Sequence, residues 1–236
     1  MLSENFADYP DIASVPQHRR LPDCDFLSRL RAAVMFDHIA VSGLDLASYR
    51  FGFLNSVDSN FPPAFLEVYG AEGWHRSDPF VQAAKQMEDF VVEKDVFAIS
   101  PPPQRLSSLL QSYGVFNRTI FPVRRSNAVF GAVTFTREQP FLTDEIDFLR
   151  RVSGLVHSEI TRPLMERFGP QTLKLSEGEL SCLELAARGM TSEEISSATR
   201  FTAETVNTYL KTATRKLSAK NRTHAVAEAL RIGLVD

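Results

Sequence analysis

Eight side chains in one run near the end of this 236-residue chain have the types and spacing for nucleic-acid chemistry. They are Thr205, Asn207, Thr208, Lys211, Arg215, Lys216, Lys220 and Arg222. Hydroxyl and amide groups can meet base edges, while ammonium and guanidinium groups neutralise phosphates. From Thr205 to Arg222 every ionised side chain is basic. Asn207 and Lys211 are the expected base contacts, with a phosphate contact as the alternative for each. The other six are expected mainly on the sugar-phosphate backbone. A solvated surface helix could carry the same residues, so the neighbouring elements decide.

Those elements are legible. Val206, Leu210, Ala213 and Leu217 recur at helical spacing and form one apolar stripe behind the polar face, with Thr202 placed to cap the first turn. Upstream, Ser176 and Glu179 form a capping-box pair that opens a helix burying Leu180, Leu183 and Ala187 and ending at Gly189. Thr191 and Glu194 repeat the pair and start a short helix through Ile195 to Ala198, and a turn at Thr199-Arg200-Phe201 follows. A short helix, a tight turn and a basic helix make a helix-turn-helix, whose second helix enters the major groove.

Residues 175–236 resemble the DNA-binding domain of LuxR-type transcription regulators. Glu179, Leu183, Gly189, Ile195, Thr205, Val206, Lys216, Leu217, Asn221-Arg222-Thr223 and Ala225 all stand where that pattern has them. The resemblance implies a fourth helix, about Thr223 to Ile232, that helps pair two such domains. Ala225, Val226, Ala229, Leu230 and Leu234 supply its apolar strip. It also implies a homodimer on a two-fold symmetric site in double-stranded DNA, with RNA polymerase as a further partner.

A second group lies upstream: Phe65, Tyr69, Trp74, Asp78 and Thr134. Residues 23–165 resemble the autoinducer-binding domain of quorum-sensing LuxR-type regulators. There, the resemblance implies, Asp78 accepts from the amide of an acyl-homoserine lactone and Tyr69 meets its acyl carbonyl. Asp78 before Pro79 also fits a helix cap, and both roles are compatible. Gly114, Pro122 and Thr134 follow the family pattern. Three positions depart from it. Phe65 stands for a tryptophan and has no N–H to donate, a second tryptophan is missing near residues 90–93, and Asn117 stands for a glycine. Trp74 either lines the pocket or packs. The departures argue against an ordinary acyl-homoserine lactone and leave two alternatives: a different signal molecule, or a pocket closed by its own side chains.

Other chemistry finds little support. His18, His38, His75, His157 and His224 are dispersed without metal-like spacing, and Cys24 and Cys182 form no C-x-x-C pair. No nucleophile elbow, Walker or dinucleotide-binding glycine pattern occurs, so neither an enzyme nor a cofactor is expected. The formal charge of −3 is nearly balanced. Residues 174–236 hold nine Lys/Arg and eight Asp/Glu, which leaves −4 on the remainder, so DNA binding must rest on a local patch. Absence of an N-terminal apolar run or a membrane-length segment points to a cytoplasmic protein.

The expected fold class is α+β: an α/β/α sandwich on a mainly antiparallel sheet, followed by a four-helix helix-turn-helix domain. Residues 1–22 read as an extended arm that could pack on a partner. Residues 23–165 read as the sensor and dimerisation domain, 166–174 as a linker broken at Gly169-Pro170, and 175–236 as the DNA-binding domain. Strands are expected at Phe36–Ser42, Tyr49–Leu54, Thr119–Val123 and Val129–Phe135, with a turn at Ser126-Asn127. Helices are expected from Asp25, Pro62, Asp78, Leu106 and Thr143, the last ending near Arg162.

Overall fold

The computed structural model describes residues 6–16, 18–21, 24–43, 57–86, 89–125 and 128–236. The expected strand Tyr49–Leu54 and the turn at Ser126-Asn127 lie outside them. Among the described residues the chain divides into two compact units, one of residues 13–160 and one of residues 6–12 and 161–236.

The first unit is organised around a six-stranded sheet. Its strands are β1 (His18–Arg20), β2 (His38–Ser42), β3 (Val57–Ser59), β4 (Val91–Val92), β5 (Thr119–Arg125) and β6 (Ala128–Thr136). They lie in the order β1-β3-β2-β6-β5-β4, antiparallel except for β1 beside β3. Alternation sends successive side chains to opposite faces. Ile39, Val41, Phe121, Val133 and Phe135 therefore share one face, packed by α1 (Asp25–Ala33) and by Leu149, Val156 and Ile160 of α7 (Thr143–Thr172). Ala40, Ile120 and Ala132 face the other way, toward α2 (Pro63–Ala71), α3 (Trp74–Ser77), α4 (Pro79–Gln86), α5 (Glu93–Ile99) and α6 (Gln104–Ser112). Thr134 pairs with Ala40 and Ile120 and so points to this second face. The result is the expected α/β/α sandwich.

One close approach fixes how α7 meets the sheet. A Cβ on Gly131 would stand 2.2 Å from His157 Nε2 and 2.5 Å from the Ser42 carbonyl, so only glycine fits there. His157 is buried beneath it. Burial lowers its pKa to about 4, against the opposing effect of hydrogen bonds to the backbone of Ser42 and Gly43.

The second unit is helical, with α8 (Glu177–Ala187), α9 (Ser192–Ala198), α10 (Ala203–Lys216) and α11 (Arg222–Arg231). Both capping boxes form in full, and Gly189 takes the left-handed conformation (φ 87°) that ends α8. Cys182, Leu183 and Ala186 are buried in α8, whereas Leu180 and Ala187 are only partly covered. The buried stripe is thus rotated by one to two residues from the expected one, because Cys182 acts as a small apolar side chain.

Two boundaries differ from expectation. The helix beginning at Thr143 does not stop near Arg162 but runs to Thr172, through Pro163 and Pro170. Interior prolines cost about 3 kcal/mol each. Leu164, Met165 and Phe168 are 0–1% exposed, so the apolar surface that favours the helix continues past the expected end. Gly169 is a packing residue rather than a breaker, its Cβ position being 3.1 Å from Leu234 Cδ1. The N-terminal segment is likewise not a plain extended arm. It holds two short 3-10 turns and β1, and Phe6 packs edge-on against Phe168 at 6.2 Å.

Candidate functional site

The polar face of α10 is presented by a rigid backing. Val206, Leu210, Ala213 and Leu217 are at most 5% exposed, and Val206 and Leu210 pack with Cys182, Ala186 and Ile195. Thr202 caps the helix by accepting from the Thr205 amide at 3.2 Å. Asn207, Thr208, Lys211 and Arg215 are exposed, as is Lys220 beyond the helix end. The charged ends of Lys211, Arg215 and Lys220 have no partner among the described residues. Asn207 is pre-oriented: its side-chain carbonyl accepts from Ser192 Oγ at 2.6 Å, and its amide N–H groups have no partner among the described residues. The Thr208 hydroxyl donates to the Glu204 carbonyl at 3.0 Å, and Thr205 and Thr202 share a hydroxyl hydrogen bond at 2.9 Å.

Lys216 and Arg222 are placed differently from the rest of the basic set. Lys216 Nζ donates to Glu179 Oε2 at 2.5 Å and to the Lys174 carbonyl at 2.6 Å. Burial pushes the Glu179 carboxyl up, but the hydrogen bonds from Lys216 and the Ser176 amide outweigh it and hold the carboxyl below its usual range. The same carboxylate completes the Ser176 capping box. Arg222 donates to Ser192 Oγ at 3.3 Å and to the Met190 carbonyl. Both cations tie helices together within the unit. Spacing could not separate them from Lys211 and Arg215, because their partners stand 30 to 42 residues away.

On the α2–α6 side of the sheet in the first unit, Asp78 is fully buried and engaged by three donors. Oδ1 accepts from the Phe80 amide at 2.9 Å, so Asp78 does cap α4. Oδ2 accepts from the Tyr69 hydroxyl at 2.8 Å and from Arg118 Nη1 at 2.6 Å. Burial and the adjacent carboxylate raise the Tyr69 pKa well above its ordinary value, which keeps the phenol protonated as a donor. Phe65 is buried among Phe61, Tyr69 and Tyr113, with ring centroids 5.4–5.9 Å apart. The Trp74 indole packs on the same cluster and donates to Glu72 Oε2 at 2.9 Å, and Arg105 donates to both oxygens of that carboxylate. The structure brings Phe65, Tyr69 and Asp78 together, sets Thr134 on the facing sheet surface, and sends the polar end of Trp74 to Glu72.

Arg118 is the residue that sequence reasoning missed. It is 4% exposed, bridges Asp78 to Glu93 (Nε to Oε1, 2.6 Å), and lies over the Phe80 ring at 4.5 Å. Burial disfavours its charge, but Asp78 and Glu93 more than compensate and raise its pKa. Glu93 falls where the sequence lacks an expected tryptophan. An acid in that window and an arginine beside Asn117 were the available signals, though no periodicity links positions 25 apart.

Comparison with known proteins accounts for both units. Residues 24–160 match the autoinducer binding domain, more than half of the chain, and residues 173–229 match the model described as bacterial regulatory proteins, luxR family. The chain belongs to the LuxR family. It is similar to the quorum sensing-dependent transcriptional regulator VjbR of Brucella ovis, 32% identical over 78% of this chain and 76% of the relative. It is also similar to the transcriptional activator protein BjaR1 of Bradyrhizobium diazoefficiens, 24% identical over 93% of this chain and 92% of the relative. The crystal structure of Escherichia coli SdiA aligns at 20% identity with a TM-score of 0.45, covering 89% of each chain. As a LuxR-family member, the protein is a transcription regulator with a helix-turn-helix DNA-binding domain, and its matched relatives are regulators rather than enzymes. Among the described residues no group of metal-ligating side chains occurs, and no helix is long and apolar enough to cross a membrane.

Proposed function

We propose that this protein is a sequence-specific DNA-binding regulator that acts as a dimer and is controlled by a small molecule in its first unit. The observation that carries the DNA part is α10, a helix locked from behind that presents Asn207, Lys211 and Arg215 to solvent. Asn207 and Lys211 read base edges, while Thr205, Thr208, Arg215 and Lys220 contact the phosphate backbone. Lys216 and Arg222 support this face from within. Dimerisation is supported by Leu230 on α11, 44% exposed where its neighbours Ala225 and Ala229 are buried. Two copies would read a two-fold symmetric operator.

The sensing part rests on the autoinducer-binding match and on the buried polar cluster at Asp78. Buried polar groups of this kind are costly unless paired. Here Arg118 already supplies a partner, which favours a second reading in which the unit folds and dimerises without any ligand. Native mass spectrometry of the full chain, purified without additives, separates the two. A stoichiometric small molecule carried from the host supports the sensor. A clean apo dimer that binds operator DNA with unchanged affinity in host extract supports the ligand-independent reading.

A further inference from the structure

The hydrogen-bonding groups around Asp78 are filled unevenly, and the imbalance says what kind of molecule the site takes. The Tyr69 hydroxyl is given to Asp78, and the Trp74 indole N–H is given to Glu72. Phe65 has no donor. Three of about four acceptor directions on the Asp78 carboxylate are taken, by Phe80, Tyr69 and Arg118. One polar atom is left over: Arg118 Nη2 is buried and has no hydrogen-bond partner among the described residues. An orphaned buried guanidinium N–H is unfavourable, and anything that accepts from it gains accordingly. Two carboxylates around one guanidinium leave the cluster with a formal charge of −1, which disfavours a second anion. Two aromatic rings, Phe80 and Phe97, lie against the guanidinium. Phe97 and Glu93 also line an open cleft of about 490 Å³ with Phe116 and, at its polar rim, Lys94, Asn117, Glu138 and Gln139, so the cluster lies one side chain from solvent.

We infer that this site recognises an uncharged apolar molecule through an oxygen acceptor, a ketone or ester carbonyl, received by Arg118 Nη2, and does not use Asp78 to receive an amide N–H. The inference rests on the sensor reading and refines it. Arg118 acts as a built-in partner for Asp78 and inverts the polarity of the head-group end from acceptor to donor.

A matched pair of probes isolates the point. Ethyl heptyl ketone and N-methyloctanamide have the same heavy-atom skeleton with CH₂ against N–H, which also makes the amide oxygen the stronger acceptor; octanoate adds a charge. Binding to the full-length protein is followed by thermal shift and isothermal calorimetry. Wild type is expected to prefer the ketone and to bind octanoate weakest. Since the amide is also better hydrated, the deciding quantity is how the ketone-to-amide ratio responds to a variant. In the double variant Arg118→Met with Glu93→Gln, which keeps the formal charge at −1, Oδ2 of Asp78 loses one of its two donors and keeps Tyr69, and the Nη2 donor is gone. The ratio should move toward the amide by about tenfold or more. Arg118→Lys, with one nitrogen shared by both carboxylates, should move it part of the way and serves if the double variant does not fold cooperatively. A ratio that does not change, an amide preferred by wild type, or octanoate binding best would overturn the inference while leaving a sensor in place. No shift with any probe would overturn the sensor reading as well.

Discussion

Lys211 and Lys216 are five residues apart on one helix, yet Lys211 is exposed while Lys216 is bonded to Glu179 and the Lys174 carbonyl. Lys211→Ala should weaken binding to the operator by about 1–3 kcal/mol and relax preference at one base pair. An equal loss on every duplex would instead mark a phosphate contact. Lys216→Ala should leave the slope of log affinity against log salt unchanged, because its ammonium already serves Glu179 and the Lys174 carbonyl. Its effect belongs in stability, about 1–3 kcal/mol in urea denaturation, since a largely buried carboxylate loses its partner. A salt slope reduced by about one would return Lys216 to the phosphate set. His157 makes a third residue-level statement. Its pKa is about 4 in the fold against an ordinary 6.5, so the unfolded chain binds more protons between those values. The stabilisation is therefore complete above about pH 6.5 and is lost as the pH falls toward 4, amounting to roughly 3 kcal/mol. His157→Gln should flatten that loss in denaturant titrations at pH 7 and pH 4.5. Parallel losses in variant and wild type would show that other groups carry the acid sensitivity.

At the scale of elements, the contact between α7 and β6 depends on the missing side chain at Gly131. Gly131→Ala forces a carbon into His157 and the Ser42 carbonyl, and should cost about 1–3 kcal/mol or more. A melting temperature equal to wild type would show that α7 can shift away freely. The same helix illustrates what could and could not be read from the chain alone. The expected helix from Thr143 to near Arg162, along which Leu149, Val156 and Ile160 recur at helical spacing, covers its first two-thirds. Gly169-Pro170 concealed the rest, because local propensity argues for a break while the burial of Leu164, Met165 and Phe168 decides for continuation. The capping boxes at Ser176 and Thr191 were legible since every participant lies within four residues. Short strands were not: β3 and β4 span three and two residues and exist through pairing to distant partners. The Arg118 cluster was hidden for the same reason. Its charges are drawn from the cap of α4, the first residue of α5 and the residue before β5, and nothing local announces that this arginine turns inward.

At the scale of the whole molecule, a nearly neutral chain binds a polyanion only if its positive charge is concentrated and its contacts are specific. Membership of the LuxR family supplies the class of regulator. The residues of α10 supply the claim that it reads a particular sequence. The most direct test is selection from a random duplex library with the full-length protein at physiological salt, run beside the Asn207→Ala and Lys211→Ala variants. The account predicts enrichment of one two-fold symmetric sequence with half-sites about one helical turn apart, and blurred preference at defined positions in each variant. A library that returns unenriched, or the same motif at the same strength from all three proteins, would contradict it.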